Sequence, residues 1–537
     1  MKLRNYITTM MSILALTSCG DFLEEYSQDH DYVRSWNDLN ELLLGDCYMP
    51  VNGTAYFKDD CNAGTFIHLL SDEVDDEAVA GKDPQGYDIH SYMFGYLTWQ
   101  ERVGANADFS NYYTENKTWT QLYKYINVAN NVIESSEKAP QSIDDDKAGV
   151  NYVKGQAHFL RAFYYFWLTN MYGQPYNPST AESDLGVPIK TSSEVLDIKY
   201  TRNTVAECFK LIEEDLLAAE KEFRLAKDIN RKSIYRADSS SVQLLLSRFY
   251  LYKQDWEKAA EYAKKVIKVY PDLQDLASDD SYFASKDNPE TIFSMGGDDI
   301  PCLFWYGTQG IKLTASLYNS YSNNDLRKKQ WLWSTGDFVA CIKQKEVANT
   351  FIGEKITKEN PNYFNMCYEY AGHGTQREIS SLFWLRSGEA YLNLAEAEAY
   401  LGNEEDAKDA INTLRNARYA TNAQDKIIAS TGSQLITDIR NERRRELVCE
   451  GQRWFDLRRY RVCSVQPEKI SITHKFSTYD NSNSKYPLET RTYVLKEDDP
   501  SWTMPIPHEV LEFNTGMKNN GNTKRMPETT NEEQDNN

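Results

Sequence analysis

The hydrophobic residues of the chain recur at helical spacing in several long stretches. Three of these stretches are residues 118–140, 151–176 and 203–223. In the third, one helical face carries Val205, Phe209, Ile212, Leu216 and Ala219. Asn203 precedes this face and is a candidate N-cap, and the first two stretches end at proline or glycine signals. The pattern therefore predicts a chain built mainly from amphipathic helices.

Two further stretches match the pattern of a repeated helical hairpin. In residues 243–271 the tetratricopeptide positions are filled by Leu246, Ser247, Tyr250, Ala259, Ala263, Val266 and Pro271. In residues 391–419 they are filled by Ala395, Gly402, Ala407, Ile411 and Leu414, with Glu398 at the aromatic position. Small residues there let antiparallel helices approach closely. The expected fold class is mainly α, with tetratricopeptide-like hairpins over about 118–271 and 380–460 forming a superhelical scaffold.

Long stretches without helical periodicity lie between and after the predicted hairpins. They cover about 45–117, 272–380 and 462–514 and are rich in Asp, Asn, Gly, Ser and Tyr. Loops of this length in a compact protein usually carry function, so these stretches are expected to form an irregular ligand-binding lobe. Residues 515–537 are polar and predict a flexible tail.

The N-terminus has the features of a secretory signal. Lys2 and Arg4 precede an apolar run from Ile7 to Leu16 that is too short to span a bilayer. The sequence LTSC that follows resembles a bacterial lipobox, in which cleavage precedes the cysteine and the cysteine is acylated. Residues 1–18 are therefore predicted to be removed, and Cys19 is predicted to carry lipid that anchors a non-spanning mature chain of residues 19–537.

The charge balance argues against a nucleic-acid partner. The chain has 59 Lys and Arg against 80 Asp and Glu, a net charge of -21, and would repel a polyphosphate. The arginine-rich run ERRRELVCEGQRWFDLRRY, residues 442–460, interleaves its charges. Glu442 with Arg445 and Arg443 with Glu446 stand at i,i+3, which predicts a helix face neutralised by salt bridges.

No motif for a metal, a cofactor or a catalytic nucleophile stands out. Eight cysteines besides Cys19 include no C-x-x-C pair, and Cys208 and Cys449 sit in apolar helical patterns typical of buried thiols. His68, His90 and His373 are scattered, and the calcium-loop, P-loop, G-x-S-x-G and G-x-G-x-x-G spacings are absent. The sequence predicts no metal, no cofactor and no catalytic residue.

Several separated motifs together resemble the SusD-like (SusD/RagB) family of outer-membrane nutrient-binding lipoproteins from Bacteroidota. The motifs are CGDFL from residue 19, RAFYYFWLTNMYGQPY from residue 161, ERRREL followed by EGQRWFDLRRY, and PIPHEVLEFNTGMKNN from residue 505. They extend over nearly the whole mature chain. In the last motif, Thr515 and Gly516 stand where the family often has a proline.

The resemblance implies a lipid-anchored protein of the outer membrane, facing the cell exterior, that binds oligosaccharide or polysaccharide and delivers it to a SusC-like TonB-dependent transporter. It implies no catalysis and no cofactor. It also makes the arginine-rich run a structural signature, with Trp454, Phe455 and Leu457 packed inward while charged side chains tie the helix end to its neighbours.

The candidate ligand-binding residues are Asp72, Glu73, Trp99, Trp305, Tyr306 and Arg386. Aromatic rings and a few polar groups are what a protein uses to bind a neutral sugar. Gly307 and Gly310 flank the Trp305–Tyr306 pair and allow the backbone to expose its rings. The charged candidates match positions near the family's pocket, but Asp72 and Glu73 also fit a solvated acidic loop, and Arg386 also fits a pair with Glu389.

Two other functions stay open at this point. A glycoside hydrolase needs two suitably spaced carboxylates, and a chain with 80 acidic residues always offers candidates. A tetratricopeptide scaffold that binds only protein is the second alternative, because such arrays present a concave groove to peptides. The glycan itself is not specified by any motif: starch, fructan, mucin glycans and pectic fragments, or a peptide, all remain open.

Overall fold

The computed structural model describes the greater part of the chain. The described residues are 35–49, 64–76, 84–113, 115, 117–141, 143–194, 196–226, 229, 233–279, 281, 283–295, 311–335, 338–341, 343, 379–380, 382–479 and 487–532. The N-terminal segment with Cys19 and the segment with Trp305 and Tyr306 lie outside them.

Helices dominate the described residues, which confirms the predicted mainly-α class. The helices are α1 (Trp36–Asp46), α2 (Pro84–Leu97), α3 (Lys117–Ser136), α4 (Asp144–Tyr172), α5 (Val205–Leu225), α6 (Ser239–Lys253), α7 (Trp256–Val269), α8 (Ala315–Ser320), α9 (Arg327–Gln330), α10 (Ser387–Leu401), α11 (Glu404–Asn416), α12 (Gly432–Glu446), α13 (Arg453–Arg461) and α14 (His508–Phe513). Short 3-10 turns occupy Thr65–Leu70, Gln424–Lys426 and Pro500–Trp502.

Consecutive long helices pack as the predicted hairpins. Helix α6 packs on α7, and α10 packs on α11 and also on α7, so the two repeats share one stack. The small residue Ser247 lies at the first contact, where its Oγ donates to the Ala259 carbonyl at 2.9 Å. Asn393 of α10 donates to the same Ser247 hydroxyl at 3.3 Å. Small and polar side chains at these crossings therefore allow the close approach that the sequence pattern predicts.

The fourth helix forms the centre of the molecule. From Tyr152 to Tyr172, nearly every side chain of α4 is buried, because α3, α5 and the loop-rich lobe pack around it. Trp167 stacks on Phe383 at 4.6 Å and meets Phe455 edge-on at 5.1 Å. Gly451, at φ +71°, passes so close to Trp167 that an added Cβ would lie 3.2 Å from the indole. The core thus joins the helical scaffold to the turn inside the arginine-rich run.

Helix α5 begins one residue later than the sequence indicates. Its N-cap is Thr204, not Asn203, and Thr204 forms a reciprocal capping box with Glu207. The Thr204 Oγ1 accepts from the Glu207 N–H at 3.2 Å, and the Glu207 Oε2 accepts from the Thr204 N–H at 2.8 Å. The Asn203 side chain instead accepts from the Ile189 N–H and supports the preceding loop.

Replacing Thr204 by alanine is expected to lower the free energy of unfolding by about 1 kcal/mol, because the N–H of Glu207 in the first turn loses the Thr204 Oγ1 as its acceptor. Chemical unfolding of the purified chain at pH 7 measures the change. Thr204→Ser is the matched control, since it keeps the capping hydroxyl. An equal loss in both variants would show that the hydroxyl does not stabilise this helix end.

The strands are short and form four small antiparallel groups in the described residues. Strand β1 (Val74–Asp76) pairs with β3 (Ile311–Leu313), β2 (Thr291–Ser294) with β6 (Trp384–Arg386), and β4 (Leu332–Thr335) with β5 (Phe338–Cys341). Strands β7 (Ile472–Thr478), β8 (Glu489–Leu495) and β9 (Thr529–Glu532) form the largest sheet, with β8 in the centre. Most of these strands lie in the stretches that lack helical periodicity, whereas β6 lies just inside the predicted hairpin stretch 380–460 and β9 lies in residues 515–537.

Two parts of the chain differ from the sequence-based expectation. The stretch 45–117 contains helix α2, whose periodicity is obscured by glycine used for packing: a Cβ on Gly95 would lie 2.2 Å from the Val103 carbonyl oxygen. The expected flexible tail is instead fixed up to residue 532. Asn520 donates to the carbonyls of Tyr172 and Met504 at 3.0 and 2.6 Å, and β9 pairs with β8.

The described cysteines are Cys47, Cys208, Cys341, Cys449 and Cys463, and all five are free and buried. This agrees with the interpretation of Cys208 and Cys449 as small apolar core residues. Across the described ranges, every helix is too short or too polar to cross a lipid bilayer.

Candidate functional site

The arginine-rich run forms helices α12 and α13, and most of its charged side chains are buried. Eight groups make up what we call the buried ionic cluster: Glu290, Asp325, Arg327, Arg386, Arg418, Glu442, Glu446 and Glu450. At its centre, the Glu446 carboxylate accepts from three guanidinium groups, those of Arg327 and Arg386 at 2.7 Å and that of Arg418 at 2.9 Å. The run is therefore an interior structural element, which leaves it unavailable as a nucleic-acid surface.

Arg386 lies inside this cluster and has no exposed donor. Its guanidinium donates to Glu450 at 2.9 Å, to Glu446 at 2.7 Å and to Glu290 at 3.1 Å. Glu389, the partner that sequence spacing offers, binds Arg248 instead through two bonds of 2.6 Å. A sugar hydroxyl could reach Arg386 only if the cluster opened. These contacts therefore support a role for Arg386 in holding the fold together, not in binding a ligand.

The ion pairs that the side chains of the arginine-rich run form are set by tertiary contacts more than by helical spacing. Glu442 and Arg445 do pair at 2.6 Å, as the i,i+3 spacing predicts. The expected pair of Arg443 with Glu446 does not form, because Arg443 reaches Asp456 at 2.9 Å while Glu446 faces the cluster. Trp454, Phe455 and Leu457 are buried as expected.

The buried carboxylates of Glu396 and Glu446 stay ionised because arginines surround them. Glu396 binds both terminal nitrogens of Arg459, at 2.5 and 2.8 Å. Burial alone raises the pKa of Glu396, but Arg459, together with Arg443 and Arg440, outweighs burial and lowers this pKa to about 2. The same balance holds the pKa of Glu446 well below its usual range. Such groups cannot donate a proton near neutral pH, and they act here as permanent anions.

The adjacent carboxyls of Asp72 and Glu73 have opposite environments. Asp72 accepts from Arg453 at 2.7 and 3.0 Å and lies 3.1 Å from Arg444; although burial raises its pKa, these arginines lower it to about 2. Glu73 is only 1% exposed, and within the described part of the chain its Oε1 has no hydrogen-bond partner. Burial, followed by the Asp72 charge, raises the pKa of Glu73 to about 8. This arrangement is not a solvated acidic loop.

Trp99 occupies an interior position next to the same segment. Its backbone is left-handed, with φ 50°, and its indole N–H donates to the Leu70 carbonyl at 3.0 Å. The ring stacks on the imidazole of His474 at 4.5 Å between centroids. His474 in turn lies between the carbonyls of Leu97 and Ser71, at 2.8 and 2.9 Å. Trp99 therefore fixes the junction of the first 3-10 turn with β7 and presents almost no surface to a ligand.

Comparison with known proteins finds a matching family profile in each half of the chain. Residues 305–522 match the profile of the SusD family, and residues 68–251 match a second profile described as "Starch-binding associating with outer membrane". The chain is similar to the SusD family in both of these regions. Among curated relatives, SusD-like protein P2 of Formosa agariphila is 28% identical over 497 residues, covering 85% of this chain and 90% of the relative.

Solved structures from the SusD superfamily share the fold of this chain. A SusD superfamily protein from Bacteroides thetaiotaomicron aligns with a TM-score of 0.65 at 22% identity, covering 90% of this chain and 99% of that one. A SusD-like carbohydrate binding protein from Bacteroides vulgatus aligns with a TM-score of 0.63 at 19% identity over 90% and 97%. Surface glycan-binding protein A from Bacteroides fluxus gives 0.57 at 17% identity over 90% and 97%.

The structure brings only some of the predicted ligand residues together in this protein. Asp72 and Glu73 lie beside the arginine-rich run through Arg444 and Arg453. Trp305 and Tyr306 lie outside the described residues, so their contacts, and any ligand contact of the six candidates, stay predictions. Sequence patterns gave no signal for two aromatic residues that the structure leaves exposed, Tyr112 at 44% and Phe513 at 82%.

Metal ligation has no support in the described residues. No group of three His, Cys, Asp or Glu side chains is arranged there to hold an ion. His90 is paired with Asp76 at 3.0 Å, and His68 is buried among apolar residues with both ring nitrogens unpartnered in the described part of the protein. Burial lowers the pKa of His68 to about 3, which keeps its imidazole neutral.

Proposed function

We propose that this protein is a non-catalytic, carbohydrate-binding lipoprotein of the outer membrane that captures oligosaccharides and passes them to a SusC-like TonB-dependent transporter. The observation that carries the proposal is the match of residues 68–251 to the starch-binding, outer-membrane-associating profile, next to a SusD-family match over 305–522. Acylation of Cys19 supplies the membrane anchor, consistent with the signal-like N-terminus.

We propose that the helical hairpins and the loop-rich lobe bind different partners. The hairpins over about 118–271 and 380–460 face the transporter, because tetratricopeptide-type arrays commonly bind protein. The loop-rich lobe faces the sugar, with the Trp305–Tyr306 pair as aromatic platform. The domain boundaries of the lobe, about 45–117, 272–380 and 462–514, belong to this proposal.

The proposal is tested first on the full-length lipoprotein in detergent. It is applied to an array of starch, fructan, mucin and pectic oligosaccharides, with peptides as a second set, and the bound glycans are then assayed for new reducing ends. Retention of at least one glycan without new reducing ends supports capture without catalysis. Retention of peptides alone, no retention at all, or release of reducing ends would overturn the proposal.

Replacing Trp305 and Tyr306 together by alanine is expected to reduce glycan affinity by at least tenfold, because stacking of aromatic rings on sugar supplies about 1 kcal/mol or more per ring. Isothermal titration with the glycan retained by the wild type measures the loss. Co-purification of the transporter is expected to be unchanged. Loss of both properties together would contradict the proposed division, and Trp99→Ala is unsuitable for this test because that ring is part of the core.

A further inference from the structure

A short hairpin, residues 102–113, carries the exposed aromatic ring of Tyr112 and several polar side chains. We propose that this hairpin, which we call the Tyr112 platform, is an additional contact site for a neutral pyranose unit of the ligand. The proposal rests on the carbohydrate-binding function proposed above. It concerns a segment of the chain separate from the Trp305–Tyr306 pair.

One face of the Tyr112 ring is fixed by a cation. The guanidinium of Arg102 lies 4.2 Å from the ring centroid, and Arg102 is itself held by the buried carboxylate of Glu115 through contacts of 3.0 and 3.1 Å. The Glu115 carboxylate also accepts from the N–H of Gly104 at 3.2 Å. The ring is therefore supported from below while 44% of the residue stays exposed to solvent. This is the arrangement of a preformed stacking surface.

The backbone of the hairpin is closed by several short hydrogen bonds. Tyr112 pairs with Ala105 in an antiparallel bridge, and the Tyr113 N–H donates to the Gly104 carbonyl at 2.7 Å. At the tip, Phe109 adopts φ 59°, which turns the chain sharply. Its ring packs edge-on against Phe94 at 5.7 Å between centroids. A loop held in this way loses little conformational entropy when it binds a ligand.

The hairpin is also tied to the C-terminal part of the chain. The Lys524 ammonium lies 3.6 Å from the centroid of the Phe109 ring, and Arg491 of β8 donates to the Ala107 carbonyl at 3.0 Å. Helix α14 contributes a further contact, because the N–H of His508 donates to Glu115 at 3.2 Å. The platform is therefore part of the rigid body formed by the largest sheet and the C-terminal segment.

Polar groups suited to sugar hydroxyls lie on the same short hairpin. The exposed or half-exposed side chains are Asn106, Asp108, Ser110 and Asn111. Internal bonds fix their directions: Asn106 donates to the Ser110 hydroxyl at 3.1 Å, and Asp108 accepts from the Ser110 N–H at 2.9 Å. The Ser110 hydrogen bonds lower the pKa of Asp108, so its carboxylate stays ionised. An ionised carboxylate and amides that flank a ring are the groups that bind pyranose hydroxyl pairs.

Phe513 shows what an exposed ring without such surroundings looks like. It is the most exposed aromatic residue in the described part of the chain, yet it lies at the end of the short helix α14 beside Glu512, which is paired with His508. No supporting cation lies against its ring among the described residues. Phe513 is therefore a matched control for exposed aromatic surface alone.

The test uses full-length protein and the same starch, fructan, mucin and pectic oligosaccharides, with affinities taken by titration. Tyr112→Ala is expected to weaken binding at least fivefold, while Tyr112→Phe, which keeps the ring, stays within twofold of the wild type. Phe513→Ala is expected to leave the affinity unchanged. The thermal midpoints of the Tyr112 variants should match the wild type, because the ring is largely outside the core.

Three results would overturn the platform. If the wild type retains a glycan and Tyr112→Ala binds it as tightly as Phe513→Ala does, the platform is wrong and the proposed carbohydrate function stands. A fivefold loss in Tyr112→Phe as well as in Tyr112→Ala would also reject ring stacking as the mode of contact. If the wild type retains no glycan, the proposed function fails and the platform fails with it.

Discussion

Glu446→Gln is expected to lower the free energy of unfolding by about 3 to 5 kcal/mol, the loss typical of breaking a buried ion pair from one side. Three guanidinium groups, those of Arg327, Arg386 and Arg418, would then face a neutral amide in a site with no measurable solvent exposure. Glutamine keeps the size of the side chain, so the loss reports charge and not a cavity. Urea unfolding at pH 7 measures it.

Glu405→Gln is the matched control for this substitution. Glu405 also pairs with a cation, Lys408 at 2.9 Å, but its side chain is 86% exposed. Water screens such a pair, and its loss is expected to cost less than about 1 kcal/mol. A loss in Glu446→Gln no larger than that of Glu405→Gln would mean that the remaining acidic groups of the cluster neutralise it without Glu446; these groups are Glu290, Asp325, Glu442 and Glu450.

The arginine-rich run supplies three carboxylates to the cluster, those of Glu442, Glu446 and Glu450, and the cluster's arginines come from other parts of the chain. Its members come from the loop-rich stretches, as Glu290, Asp325 and Arg327 do, and from the helical hairpins, as Arg418 and Glu446 do. Asp72 extends the same charge pairing to the first aperiodic stretch through Arg444 and Arg453. The run therefore holds the irregular lobe on the helical scaffold.

How far sequence could predict this structure depends on the range of the interactions. The hairpins of residues 243–271 and 391–419 were predictable, because small side chains at fixed spacing are a local signal. The Glu442–Arg445 pair was predictable for the same reason. The partners of Glu446 were not, since Arg327, Arg386 and Arg418 come from distant segments that no spacing rule connects.

The candidate site shows the same limit. Trp99 follows an aperiodic, aromatic-rich stretch, which favours exposure, yet a left-handed backbone and the imidazole of His474 place it in the interior. Tyr112 looks no different from its neighbour Tyr113 in sequence. It is exposed because Arg102 and Glu115 support it from one side, an arrangement that only the folded hairpin creates. Local patterns identify residue types, and tertiary contacts decide which of them face solvent.

Glu73→Gln is expected to raise the free energy of unfolding at pH 8 by on the order of 3 kcal/mol and to leave it unchanged at pH 4. Burial raises the pKa of Glu73 in the folded protein to about 8, above the ordinary value of 4.5 that it regains on unfolding. The folded state therefore keeps a proton that the unfolded chain releases. The stability that this provides is complete below pH 4.5 and is lost as the pH rises towards 8, and glutamine, which is always neutral, removes that loss.

His68→Leu is a control that is expected to change the pH dependence of stability in the opposite direction. Burial lowers the pKa of His68 from 6.5 to about 3, so the unfolded chain binds a proton first and stability falls as the pH drops from 6.5. Leucine should therefore stabilise the protein at pH 4 relative to pH 8, while glutamine at position 73 does the reverse. Urea unfolding of both variants and the wild type at the two pH values separates the effects. A Glu73→Gln difference of equal size at pH 4 and pH 8 would show that Glu73 is ionised in the folded protein, with Arg444 and Arg453 outweighing its burial.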